Sequence, residues 1–480
     1  MKRPVPQFKG GLWVAAARIL SQLIQFGIFV VAARVLTPAD FGVFALVAAV
    51  IVFLNLIATA GWSEYVMNWQ GDSVRLRQTL FVAAIFGAVI ATLGLVISIP
   101  LASFFKTPDA GPLARILSLA VFFSAGATTY GGILIWQKRL ATSASCALVG
   151  ESVNFAIAAS TLLMGHGIMS LAYGRLAGAI AACLCGLVAS GIRPLVIRQF
   201  GLVQEMVGFS WNITVTRLLM TFRAYGATLI IGGFLGPAAV GYYRAAQRVV
   251  GAFEEIISEP VRVLAWSFFR NTPQIDGSSA EISEAGNKFF PILIYASTPV
   301  FIGIILMAHD LTLGILGSEW LAAVPVIKVL AIAGLIRASG TASVPILSVV
   351  GKVALLPRYM LIYALVSIAC ISIGAMNGLL ATAVSEVVAA TLVFAISARV
   401  MRQHAGLRWS AIFMRSWAVL PAIVVATGVI LILLEQNFLG QLHPLVRFVC
   451  LGLVMVAVYL PILFRCDRTL WSRLIASSAH

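Results

Sequence analysis

Apolar residues fill the chain in unbroken blocks of helical length, and the polar residues fall between these blocks instead of alternating within them. A helix needs about 20 apolar residues to cross a bilayer core, and lipid-exposed backbone must be helical or in a closed barrel. Without strand-like alternation, helices are the reading. The pattern predicts spans near residues 11–35, 41–61, 79–104, 113–136, 144–164 and 167–191, then a second six near 210–234, 238–259, 288–311, 322–347, 357–376 and 378–400, and a final pair near 414–435 and 445–465. The expected fold is an all-α polytopic membrane protein of about fourteen helices.

The polar punctuation between blocks repeats. Arg34 to Asn55 reads RVLTPADFGVFALVAAVIVFLN, and roughly 200 residues later Leu235 to Phe253 reads LGPAAVGYYRAAQRVVGAF, with Pro38, Ala39 and Gly42 falling on Pro237, Ala238 and Gly241. The same offset sets Arg18 on Arg217. Downstream, Ala114 to Ala141 lines up without gaps on Ile327 to Ala354, and His166 to Arg175 lies over Asn377 to Glu386. The offset grows by about a dozen residues, and the surplus sits in the polar segment Asn271 to Lys288, which reads as an inserted loop. One six-helix unit has been used twice. The implied organisation is an N-terminal six-helix bundle at 1–192, a cytoplasmic linker at 193–208, a C-terminal bundle at 209–400, and an extra helix pair with a cytoplasmic tail at 401–480.

Composition agrees with membrane residence: 61% of residues are hydrophobic and 10% charged, far from the roughly 25% charged of soluble domains. Gly11 to Leu36 is long for a signal peptide, contains Arg18 and has no small-residue cleavage site after it, so it reads as the first span. The six cysteines lie nearly all inside apolar runs with no CxxC or Cys/His spacing, which points to packing and to no metal, disulfide or cofactor.

Charge sets the orientation. Of the 33 Lys and Arg, twenty-one lie on the side that carries both termini, including Lys2, Arg3, Lys9, Lys138, Arg139, Arg402 and Arg408, while Arg34, Lys106, Arg115 and Arg447 lie on the other. The positive-inside rule makes the first side cytoplasmic. The net charge of +16 is therefore topogenic and suited to anionic lipid headgroups, and it calls for no nucleic acid. Each half has an even number of spans, so the repeat is parallel, and transporters of that kind bind substrate between the halves.

Eight basic residues remain within or at the ends of the spans: Arg18, Arg175, Arg217, Arg223, Arg244, Arg248, Lys328 and Arg337. A cation at mid-bilayer costs about 2.5 to 3.5 kcal/mol on insertion scales, so these side chains need water, a partner or a substrate. Arg18, Gln22 and Gln25 share one face of the first span; Thr214, Arg217, Thr221 and Thr228 share one of the seventh, and Arg244, Arg248, Gly251 and Glu255 one of the eighth. Together with Arg223, they read as a cationic substrate-binding surface. Lys328 reads as snorkelling to the interface. Arg175 and Glu386, at equivalent positions of the two halves, read either as a structural ion pair or as a gate; Glu151 with Asn154 either neutralises an arginine or titrates, and Arg337 joins this gating or coupling group. Guanidinium forks bind phosphate oxygens bidentately, so the substrate expected is an anion carrying phosphate. With no paired acidic motif, no Walker loop and five histidines, an enzyme is not expected and no catalytic residue is assigned.

The stretch GLWVAAARILSQLIQFGIFVVAARVLTPADFGVFALVAAVIVFLNLIATAG resembles the N-terminal signature of Wzx-type oligosaccharide flippases: a Trp-containing first span, Leu-x-Pro-x-Asp-Phe-Gly, and a second span ending in Gly. The second copy departs from it, with Ala239-Val240 where Asp-Phe stands in the first. The resemblance implies membership of the multidrug/oligosaccharidyl-lipid/polysaccharide superfamily, alternating access, and movement of an undecaprenyl-diphosphate-linked oligosaccharide across the bacterial inner membrane for exopolysaccharide, O-antigen or capsule assembly. It also implies membrane lipids, a polysaccharide polymerase and chain-length or export proteins as partners. Three other readings stay open at this point: a peptidoglycan-precursor flippase, a cation-coupled multidrug exporter, disfavoured by the few intramembrane acids, and a non-transporting scaffold for polysaccharide assembly.

The topology is testable by reporter fusions. Junctions after Gln70, Arg139, Gly277 and Arg402 should report cytoplasm, and junctions at Pro108 and Gly317 periplasm. A periplasmic signal at Gly277 would break the two-times-six arrangement.

Overall fold

A computed structural model describes residues 7–59, 61–105, 107–196, 200–270, 280–352, 355–437 and 439–467. The described residues are helices joined by short turns, and they divide into two compact units, Met1–Gly241 and Tyr242–His480. The first unit holds α1 (Gln7–Val35), α2 (Pro38–Thr59), α3 (Trp62–Asn68), α4 (Ser73–Phe104), α5 (Ala110–Trp136), α6 (Leu140–Leu163), α7 (Met169–Ser190) and α8 (Phe200–Leu235), with the first residues of α9 (Pro237–Arg270). The second holds the rest of α9, then α10 (Ala280–Leu306), α11 (Ala308–Ile315), α12 (Val324–Gly340), α13 (Ser343–Val349), α14 (Leu356–Ala375), α15 (Leu379–Ala405), α16 (Trp409–Arg415), α17 (Val419–Glu435) and α18 (Pro444–Cys466). Residues 200–208, expected as part of a separate linker, are the first turns of the continuous α8. The insertion expected at Asn271 to Lys288 lies outside the described residues up to 279, and from Ala280 it is helix.

Among the described residues eleven helical segments are long and apolar enough to cross a membrane, or twelve if α16 and α17, bent by 53° at their junction, count as one. The fourteen expected from the sequence include α8 and α9. These helices run 36 and 34 residues, on the order of 50 Å, against a core of about 30 Å, so length does not exclude them. The charges of α9 account for its omission, since it carries Arg244, Arg248, Glu254, Glu255, Glu259 and Arg262, while the described part of α8 includes the apolar stretch Ala224–Leu235.

The Thr-Pro-Ala-Asp motif is a helix start. The Asp40 N–H donates to Thr37 Oγ1 at 3.2 Å, and the Thr37 N–H donates back to Asp40 Oδ2 at 3.3 Å, a reciprocal cap for N–H groups a helix start leaves open. Pro38 opens α2 where no donor is needed. In the second copy Gly236, at φ 82°, stands in place of the capping threonine and Pro237 again opens the helix. The two starts touch. A Cβ on Gly42 would land on the Pro237 carbonyl, and a Cβ on Gly241 would land on the Pro38 carbonyl. The repeated Pro-x-x-x-Gly is thus a reciprocal backbone crossing in which each glycine makes room for the other copy's proline.

In lipid, helices associate through close packing more than through the hydrophobic effect. In the first unit α6 and α7 meet through small residues, Gly150 against Gly178 and Ala182, and Gly174 against Asn154 and Ala158, with the Cys146 and Cys185 thiols meeting at one end. In the second unit, Pro345 lacks an N–H and disfavours helix through the residues before it, so the segment equivalent to α5 breaks into α12 and α13. The final pair α17 and α18 packs on α10, where Tyr459 donates to the Tyr295 carbonyl at 3.0 Å and Tyr295 donates to the Arg415 carbonyl at 2.9 Å.

Overpacking a close contact costs about 1 to 3 kcal/mol. Gly42→Ala and Gly241→Ala should each cut the yield of monodisperse protein in detergent several-fold. Gly233→Ala, whose methyl meets nothing within 4 Å, should leave it unchanged. Equal yields for all three, read by fluorescence-detected size exclusion, would show that the crossing imposes no constraint.

Candidate functional site

The polar stripe of α1 keeps Arg18 and Gln22 exposed and half-buries Gln25. Gln25 Nε2 donates to Glu151 Oε1 at 3.1 Å and Asn154 Nδ2 to Glu151 Oε2 at 3.4 Å. The carboxylate of Glu151 is therefore held by two amides, one from α1 and one from its own helix, and Gly174 and Gly178 of α7 pack on Asn154 and so fix its position. Of the two sequence readings for Glu151, the described contacts contain no arginine to neutralise.

On α8 the guanidinium of Arg217 forms an ion pair with Glu64 of α3. Sequence reasoning passed over Glu64 because the apolar block stops at Gly61. The structure turns there: Gly61, at φ 74° and against Ser210 of α8, starts a further helical stretch. Trp62 is wholly buried with its indole donating to the Ala58 carbonyl at 3.0 Å. Tyr65 and Arg75 both donate to Glu205, at 2.9 and 3.1 Å, and the Arg75 guanidinium lies 5.2 Å from the Trp69 ring, so α3, α4 and the start of α8 are tied together beneath Arg217. Glu64 Oε2 is buried and has no hydrogen-bond partner among the described residues. Of the α8 stripe, Thr214 turns its hydroxyl to the Ser210 carbonyl at 2.9 Å. Arg223 lies on α8 with its side chain outside the described ones.

In the second unit Arg337 of α12 holds two acids. Its Nε and Nη2 donate to Glu254 of α9 at 3.1 and 3.0 Å, and its Nη1 donates to Glu386 Oε1 of α15 at 2.8 Å. Tyr243 of α9, fully buried, donates to the other oxygen of Glu386. Tyr243, Glu386, Arg337 and Glu254 form one hydrogen-bonded chain that follows three turns of α9. The sequence reading put Glu255 on the polar face of this helix. Glu255 is exposed and Glu254 makes the contacts, a correction of 100° in helical phase. The signal was present as Tyr243, Gln247 and Glu254 at i, i+4 and i+11. Arg244 and Arg248 are half-buried, Arg244 donating to Gln247 at 3.1 Å, and Arg175 is exposed on α7. Glu64 and Glu254 add two acids to those the sequence reading counted within the spans, and both are engaged by arginine.

A family profile described as polysaccharide biosynthesis protein matches residues 31–325. The chain belongs to that family. It is 25% identical over 465 residues to the succinoglycan biosynthesis transport protein ExoT of Rhizobium meliloti (strain 1021), covering 95% of this chain and 93% of the relative. It is 22% identical over 331 residues to the teichuronic acid biosynthesis protein TuaB of Bacillus subtilis (strain 168), covering 68% of each. Among solved structures, the lipid II flippase MurJ in an inward closed conformation superposes with a TM-score of 0.77 at 12% identity, over 96% of this chain and 99% of the other, a likeness of fold. The recognition of a polysaccharide-biosynthesis transport family from the Leu-Thr-Pro-Ala-Asp-Phe-Gly motif is borne out.

Breaking a largely buried ion pair from one side leaves an uncompensated charge. Glu254→Ala and Glu386→Ala should each lower the apparent Tm in detergent by several degrees, on the order of 1 to 3 kcal/mol, and Arg175→Ala should change it by less than about 0.5 kcal/mol. Unaltered Tm in both glutamate variants would remove the structural role of the Arg337 network.

Proposed function

We propose that this protein flips a polyprenyl-diphosphate-linked oligosaccharide from the inner to the outer leaflet of the bacterial cytoplasmic membrane by alternating access, in the assembly of a surface polysaccharide. The observation that carries this reading is similarity over 95% of the chain to a succinoglycan biosynthesis transport protein. The physics agrees with it. The tail of such a substrate never has to leave hydrocarbon, while its diphosphate head cannot cross without a cationic shelter.

In this reading α8 and α9 also span, giving fourteen helices as two repeated sixes at 1–192 and 209–400, a linker at 193–208 and the final pair, with both termini cytoplasmic. Arg18, Gln22, Gln25, Arg217, Arg223, Arg244 and Arg248 handle the diphosphate and its sugars, and Glu151, Arg175, Arg337 and Glu386 serve gating or coupling. A polymerase and chain-length or export proteins act downstream. The polar stripes of α8 and α9, with Arg217 on one and Arg244 and Arg248 on the other, suit helices that face a charged cargo.

The test is complementation of a deletion strain, scored by surface polysaccharide. Arg18→Ala and Arg217→Ala should each abolish export at normal membrane abundance. Lysine at either position should restore it only in part, since an ammonium lacks the two-toothed fork. Full export by both alanine variants would sink the assignment.

A further inference from the structure

Arg217 and Arg337 are both bound to carboxylates, and the two arrangements differ in kind. Arg337 uses Nε, Nη1 and Nη2 on two glutamates and is 21% exposed, so a ligand could reach it only by breaking three contacts. Arg217 is 41% exposed, and among the described residues its single partner is Glu64, through one nitrogen and one oxygen. The other oxygen of Glu64 is buried and has no hydrogen-bond partner among the described residues. A carboxylate held through one oxygen with the other orphaned is a poorly satisfied anion, and the rest of the guanidinium fork is open to a better one.

We propose that Glu64 is a resident competitor for the anion site at Arg217. It occupies the guanidinium when no substrate is present, the diphosphate displaces it by offering two oxygens to the fork, and it recaptures Arg217 when the head group leaves. Displaced, Glu64 turns to the water its side chain already reaches at 26% exposure. The function of such a competitor is release. A fixed cationic site that binds a diphosphate tightly would hold it through the cycle, and an internal anion tethered beside the site lowers the cost of letting go. The short helix α3 exists in a form suited to this: it is anchored by the buried Trp62 and by Tyr65 on Glu205, leaving Glu64 as the residue aimed at Arg217. This inference rests on the diphosphate reading of Arg217 given above.

The test is binding of farnesyl diphosphate to the full-length protein in nanodiscs, with inorganic pyrophosphate and farnesol as further arms, alongside polymer export in cells. Glu64→Gln, which keeps shape and removes charge, should bind farnesyl diphosphate about two- to fivefold more tightly, the range open to a part-exposed ion pair, and should export less polymer. Glu64→Asp, which keeps the charge, should return the affinity toward the wild-type value. Arg217→Ala should lose the binding, and farnesol should not respond to any variant. A gain confined to farnesyl diphosphate identifies a lipid-borne head group as the competitor's target. A gain shared with pyrophosphate identifies the diphosphate alone, and either supports the competition. Binding that is unchanged or weaker in Glu64→Gln, while Arg217→Ala still loses it, overturns the competitor role and leaves the diphosphate site standing. Binding that survives Arg217→Ala overturns both.

Discussion

The contact on which the first unit depends is backbone against backbone. Gly42 and Gly241 each face the carbonyl of the other copy's proline so closely that no side chain fits at either position. In lipid, where apolar side chains gain nothing by leaving their surroundings, such close approach is the main source of helix affinity. The crossing requires each helix to begin at a defined residue, and both do so through a proline at the first position. It also positions the neighbouring segments: α8 arrives with Gly232 against Leu46 of α2, and along α9 the residues Arg244 and Arg248 come within two turns of Gly241.

Given that backbone, the charges inside the spans are arranged by cost. An intramembrane ion is tolerated when paired or wet, and both solutions occur here. Arg337 is paired with two glutamates and a tyrosine donates to one of them, a set that satisfies every charged group in it. Arg18 and Arg175 are exposed. Arg217 lies between these extremes. The charges along α9 set that helix apart from a purely apolar span.

Much of this was legible in the sequence. The apolar blocks place helices, and the duplicated Pro-x-x-x-Gly marks the crossing, although nothing in a linear chain says that the two copies touch. The sequence reading set Glu386 against Arg175, whereas the arginine that holds Glu386 among the described residues is Arg337, and Arg175 is exposed. Glu64 and Glu254 were missed for separate reasons. Glu64 follows a glycine that ends an apolar block, and only the left-handed turn at Gly61 shows that the chain resumes a helix under α8. Glu254 was lost to phase: a stripe drawn from Arg244 reaches Glu255, whereas one drawn from Tyr243 reaches Glu254, and periodicity alone does not choose between neighbours 100° apart. Glu151 was legible as an acid sharing a helix face with Asn154 but not as one satisfied by the amide of Gln25.

The duplication has been kept where the copies meet and has drifted where each meets only itself. Pro38 and Gly42 match Pro237 and Gly241 because the crossing is reciprocal, and a change in either copy would collide with the other. The cap is a private matter of each helix, and it differs: Thr37 and Asp40 in the first copy stand where Gly236 and Ala239 stand in the second. The Arg337 network goes further. At the offsets that align the copies, Glu254, Arg337 and Glu386 fall on Asn55, Ser124 and Arg175, so a set with two acids and one base corresponds to a set with one base and no acid. Asn55 Oδ1 is buried and has no hydrogen-bond partner among the described residues. At equivalent positions the two copies therefore differ in charge, Glu386 against Arg175 and Glu254 against Asn55.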